Sequence, residues 1–144
     1  MLPALTLLEV PAFSPLANLG FALRREVFIL EQNVPPELEH DADDMIATHL
    51  VGIAEGAVVA VARVVLKPDH AKIGRVAIAR TARGRGFGAR LIAFAVATAR
   101  EKGESRCYLE SQADKTQFYA RLGFVAYGEE FLDAGIAHVR MKNY

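Results

Sequence analysis

Six residues, Arg83-Gly84-Arg85-Gly86-Phe87-Gly88, stand between a strand-like apolar run, Ile73 to Ala79, and a helical one, Ala89 to Val96. Glycine reaches backbone conformations that other residues resist, and it leaves N–H groups bare for close approach to a ligand. The first turn of a helix adds unpaired donors and a partial positive charge. Arg83 and Arg85 contribute guanidinium groups, which can grip phosphate bidentately. Strand, glycine-arginine turn and helix together predict a phosphate-bearing ligand docked on the start of this helix. They also require a strand and a helix packed as layers, which points to an α/β fold.

At 144 residues, the chain suits one domain, 1–144, with a real core. Its 17 basic and 17 acidic residues cancel, which argues against a general nucleic-acid binder or an anionic-membrane binder. Basic charge is concentrated instead in Arg75, Arg80, Arg83, Arg85 and Arg90. The one cysteine, Cys107, excludes an internal disulfide and a multi-cysteine zinc site, and its strand-like neighbours mark it as a small buried thiol. No uncharged apolar stretch is long enough to cross a membrane as a helix. The start lacks the basic segment of a signal peptide, so a cytoplasmic protein is expected.

Residues 4–10 read as a first strand. Ser14-Pro15 resembles an N-cap with proline at the first helical position. Leu16, Leu19, Leu23, Val27 and Leu30 recur at helical spacing and predict an amphipathic helix over 15–32, ended by Pro35-Pro36. The acidic run 37–44 reads as a loop or short helix. Strands are expected at 49–55 and 58–66, joined as a hairpin at Gly56-Ala57, and at 72–79. A helix at 87–102 ends in Lys102-Gly103, and a strand follows at 105–110. A short helix over 114–122 closes at Gly123, with Phe124 folding back on it. Strands 124–132 and 136–142 finish the chain. The order is βααβββαβαββ: a mixed, mostly antiparallel sheet of about seven strands with helices on both faces.

Three phosphate-binding patterns compete for the glycine turn. A P-loop requires Lys-Ser/Thr after the last glycine, where Ala89-Arg90 stands. The dinucleotide fingerprint of an oxidoreductase fits Gly84-x-Gly86-x-x-Ala89, with Glu110 as a ribose-binding acid. Its glycines, however, should follow the strand directly, and too little chain remains after Glu110 for the second half of that fold. The third pattern spans almost the whole chain. Arg83-Gly84-Arg85-Gly86-Phe87-Gly88 resembles the acetyl-CoA motif of the GNAT acetyltransferase superfamily, Arg/Gln-x-x-Gly-x-Gly/Ala. Phe118-Tyr119-Ala120-Arg121-Leu122-Gly123-Phe124 is similar to the later Phe-Tyr-x-x-x-Gly-Phe of the same family. Arg24-x-x-Val27-Phe28-x-x-Glu31-Gln32-x-x-Pro35, with Asp44 and His49, resembles the small ElaA-like branch, as does Gly135 to Met141.

The resemblance implies acetyl transfer from acetyl-CoA to an amine by direct attack. It places the pyrophosphate on Arg83, Gly84, Arg85, Gly86, Phe87 and Gly88. The amide-rich pantetheine arm then lies on the backbone of Val76, Ala77 and Ile78. Gln112 matches an Asn-like position that often touches this arm, although a plain turn residue would serve there as well. Tyr119 is the family-matched donor to the departing thiolate; a phenol of pKa ~10 is a fitting donor to a thiolate of ~8.5 when it is close and aligned. The base is open among Glu31, His49, Glu110, His138 and a water chain with no dedicated base; the water chain is favoured, and Glu31 and His138 lead among the side chains. The partner is a small-molecule or peptide amine, and dimers are common in the family. An acyl-CoA-binding sensor without catalysis is the alternative. The run Glu39 to Asp44 lacks the glycine and glutamate of an EF-hand, so no metal is expected. It reads as a solvated loop or as an acidic rim that attracts a cationic amine. Arg63, inside an apolar strand, should pair with one of its carboxylates.

Overall fold

The structure, a computed structural model, describes residues 4–144; the signal-peptide reading rests partly on residues 1–3, which lie outside them. Among the described residues, seven strands form one sheet in the order β1-β2-β3-β4-β5-β7-β6. They are β1 (Thr6–Val10), β2 (Thr48–Ala54), β3 (Ala57–Leu66), β4 (Ala71–Ile78), β5 (Cys107–Gln112), β6 (Val125–Asp133) and β7 (Ile136–Lys142). Four α-helices, α1 (Pro15–Arg24), α2 (Pro36–Glu39), α3 (Phe87–Glu101) and α4 (Thr116–Ala120), complete the expected βααβββαβαββ order. All neighbouring strands are antiparallel except β4 and β5, which the α3 crossover makes parallel.

Strand alternation divides the core between the two faces. Leu50, Ala60, Ala62, Ile73 and Leu109 pack under Leu91, Ile92 and Ala95 of α3. Val51 and Val61 turn the other way, toward α1. α1 lies close because Gly20 faces them: an added Cβ there would sit 3.2 Å from Val51 Cγ1 and 3.2 Å from Val61 Cγ2. The glycine stops are real. Gly103 and Gly123 take φ +93° and +94°, and Phe124 N–H folds back to Tyr119 O at 3.2 Å, as a helix-ending glycine permits.

Several local expectations fail for physical reasons. The helix over 15–32 is α-helical only to Arg24; Arg25–Glu31 is π-helical, with Gln32 N–H bonded to Val27 O. The wider turn changes the phase. Leu30 is exposed, as is Leu19 in the α-helical part of the same expected stripe, and Phe28 joins Leu23 and Val27 instead. The hairpin turns at Glu55-Gly56, both at positive φ (52° and 77°), which suits a tight two-residue connection; Ala57 already belongs to β3. β5 begins two residues later than expected and runs through Gln112. The helix expected over 114–122 is a 3₁₀ turn at Ala113–Lys115 followed by the five-residue α4.

The acidic run is not a solvated loop. Glu39 and Asp44 are buried. Arg24 reaches Glu39 at 2.6 Å and Asp44 at 2.7 Å, while Arg63 holds Asp41 at 2.6 Å and Asp44 at 2.9 Å. Buried carboxylates survive because guanidinium groups meet them, and the two arginines hold the Asp44 carboxyl far below the usual range. Arg63 thus has the carboxylate partners its apolar strand demanded. This network pins segment 36–45 onto the sheet beside the fork described below.

Candidate active site

β4 and β5 pair over only three rungs, ending at Ile73↔Leu109. Beyond that, β5 continues against β7, from Glu110↔Arg140 to Gln112↔His138. β4 is bent away by a bulge: Arg63 opposes Gly74 and Val61 opposes Ala77, with Arg75 forced to φ +51°. The strands therefore part like a fork. Arg75 anchors its own outward turn by donating to Glu39 O, Leu38 O and Asp41 Oδ2.

The fork exposes a stretch of β4 edge. Ala79 N–H donates to Val59 O, so by ladder alternation Ala77 also turns its polar groups to β3. Val76 and Ile78 turn theirs into the fork. Of the three residues expected to hold an amide-rich arm by backbone pairing, two have the right orientation, and Ala77 is used by the sheet. One acceptor is already occupied: Ile78 O receives Arg83 Nε at 3.0 Å.

At the end of this edge lies the glycine turn. Gly84 and Gly86 sit at φ +81° and +79°, and an added Cβ at either would meet nothing within 4 Å, so conformation alone demands glycine there. Gly88 is small for another reason: a Cβ would press on Phe118 Cζ at 3.2 Å. Among the described residues no side chain caps the start of α3, so its first N–H groups remain available to an anion. Phe87 points into the core and contributes only backbone. Arg83 and Arg85 are already engaged. Arg83 makes a bidentate pair with Glu31, at 2.7 and 2.8 Å, and Arg85 reaches Glu55 at 3.1 Å.

The fork opens into a cleft of about 340 Å³, which Tyr119, Gln112, Glu110, Lys72 and His138 help to line. Tyr119, on α4, is nine-tenths buried between Phe118 and Phe124, with ring centroids 5.0 and 6.3 Å away. Burial alone pushes its phenol up to about 12. Gln112 Nε2 donates to Gln32 Oε1 at 2.9 Å, tying β5 to the end of the π-helix. His138, on β7, has Nδ1 2.7 Å from Ile136 O. A carbonyl only accepts, so Nδ1 carries a proton, and in the tautomer this bond selects Nε2 is the nitrogen left to accept one.

The remaining candidates fall elsewhere. Glu31 is outside this cleft, and Arg83 holds its carboxyl below the usual range. His49 is buried, with Nε2 2.9 Å from Asp44 O, and serves the ion network. Cys107 is fully buried and its thiol is pushed up by burial, so it is no nucleophile. Sequence reasoning assigned no cleft role to Gln32, Lys72 or Arg75. Gly74-Arg75 beside an apolar run was the available signal for a bulge.

A family model described as an acetyltransferase (GNAT) domain matches residues 9–144. The chain is 34% identical over 123 residues to Bacillus subtilis YjcF, described as an uncharacterised N-acetyltransferase, across 85% of this chain and 88% of that protein. An acyl-CoA N-acyltransferase from Pseudomonas aeruginosa has a similar structure (TM-score 0.85, 31% identity), covering 98% of this chain and 99% of that one. Escherichia coli ElaA is comparably close (TM-score 0.82, 29% identity), with coverage of 98% and 99%.

Proposed function

Because the chain belongs to the GNAT acetyltransferase family, in its ElaA-like branch, we propose that it moves an acetyl group from acetyl-CoA to a primary amine by direct attack. One observation carries this reading: the fork leads from the uncapped start of α3 to a cleft holding both Tyr119 and His138. The chain's residues fit the co-substrate. The amides of 84–88 suit a diphosphate, and the fork-facing edge of Val76 and Ile78, with Ile78 O already taken by Arg83, suits an amide-bearing arm. Bound acetyl-CoA supplies an acyl thioester.

Tyr119 acts on the leaving sulfur. With its pKa near 12, the hydroxyl keeps its proton at neutral pH. Complete transfer to a thiolate of pKa ~8.5 is then uphill by about 5 kcal/mol. Tyr119 therefore stabilises the developing charge as a hydrogen-bond donor, a lesser role than the full protonation expected of an ordinary phenol. His138 Nε2 takes the proton that the attacking ammonium must lose. Glu31 is assigned no proton transfer; it orients Arg83, whose two remaining N–H groups stay free for phosphate.

The test is thiol release from acetyl-CoA in the presence of polyamines, amino acids, amino sugars and peptides. Release that depends on a primary amine is expected. Calorimetric binding of acetyl-CoA without acceptor-dependent release would make the protein a sensor instead.

A further inference from the structure

We propose that Glu110 anchors the acceptor's ammonium group, so that the site selects amines that are cations at neutral pH. This rests on the amine-acetylating reading above. The direction of the strands supplies the first argument. Diphosphate at 84–88 puts the arm along Ile78 and then Val76, so its reactive end comes to rest where the fork closes. The last shared rung is Ile73↔Leu109, and Glu110 is the first β5 residue beyond it.

The second argument is chemical. Glu39 in this cleft is held by Arg24, and Asp41 by Arg63 and Arg75. Glu39 Oε1 and Asp41 are committed to guanidinium groups, and Glu39 Oε2 is buried without a hydrogen-bond partner among the described residues. Asp43 faces Lys67 at 3.5 Å, and Asp133 sits at the β6–β7 turn rather than at the last β4–β5 rung. Glu110 has softer partners. Tyr108 Oη donates to its Oε2 at 2.8 Å, fixing the side chain. Lys72 Nζ stands 3.4 Å from Oε1, long for a charge-assisted bond. Oε1 therefore retains acceptor capacity toward the cleft. The half-buried Lys72 chain can swing aside, and its charge helps an adjacent ammonium to shed a proton. Alternation puts Tyr108, Glu110 and Gln112 on one face, and Gln112 is the cross-strand partner of His138. Anchor and base thus share a face of the sheet.

The experiment compares kcat/KM near neutral pH for an alkylamine of pKa ~10, a cation, and an arylamine, which is uncharged. The wild type should favour the alkylamine by about tenfold or more, and Glu110→Gln should abolish that preference through KM while the calorimetric Kd for acetyl-CoA stays within about twofold. Lys72→Met, which removes the competing cation, should lower KM for the alkylamine, and this decides the matter if Glu110→Gln fails to fold. No preference in the wild type, a preference that survives Glu110→Gln, or a raised alkylamine KM in Lys72→Met would overturn the proposal. Amine acetylation with any of those results removes only the anchor; absence of acetylation with every amine removes the underlying function.

Discussion

Tyr119→Phe removes one oxygen from a packed ring. The contacts with Phe118 and Phe124 survive, and no described residue hydrogen-bonds the hydroxyl, so stability should change by less than about 1 kcal/mol. The kinetic loss is set by the missing donor. A hydrogen bond to a charged partner is worth about 1.5–3 kcal/mol net, which converts to a fall in kcat of about 10- to 150-fold. The assay is thiol release at saturating acetyl-CoA and amine, with calorimetry for the co-substrate. The Kd should hold within about twofold, because nothing in the proposed phosphate contacts has changed. The pH profile adds a stricter check. A phenol near 12 stays protonated throughout an ordinary assay range, so the alkaline limbs of wild type and variant should coincide. An unchanged kcat would remove the donor role. An alkaline limb between about pH 9 and 10 that disappears in the variant would show an ordinary phenol transferring its proton, contrary to the burial argument.

Glu31→Gln should leave the pH dependence of kcat unmoved while altering the Kd for acetyl-CoA, as calorimetry would record; a shifted acidic limb would restore Glu31 as the base. At Gly86 the space is open and only the backbone objects, so Gly86→Ala should cost about 1–2 kcal/mol in urea unfolding and weaken acetyl-CoA binding. Asp44→Asn leaves Arg24 and Arg63 short of their shared carboxylate in a buried setting and should cost about 3–5 kcal/mol by the same measurement. Asp44 has a depressed folded pKa, so its stabilisation is complete above the unfolded value and is lost as pH falls. Wild-type urea midpoints should therefore drop below about pH 4, and Asp44→Asn should flatten that drop.

The glycine turn was readable because each signal there is local: glycine for positive φ, and a helix pattern beginning at once. Arg63 was readable for a related reason, since a charge in an apolar strand needs a partner. The π-helical stretch was not. Leu30 fits an α-helical stripe, and only tertiary packing of Val27 and Phe28 sets the wider turn. The fork was hidden as well, because it depends on the bulge at Arg75 and on where β5 trades β4 for β7. The branch-like residues at the front of the chain now have physical roles. Arg24 binds Asp44, Glu31 binds Arg83 and Gln32 binds Gln112, so the first helix is clipped to segment 36–45, the glycine turn and the fork.

A crystal structure of the protein with coenzyme A bound addresses all of this at once. The account predicts phosphate oxygens on the amides of residues 84–88, the arm against Val76 and Ile78, and the sulfur within hydrogen-bond reach of Tyr119 Oη. Coenzyme A lying outside the fork, or a sulfur facing away from that hydroxyl, would contradict it.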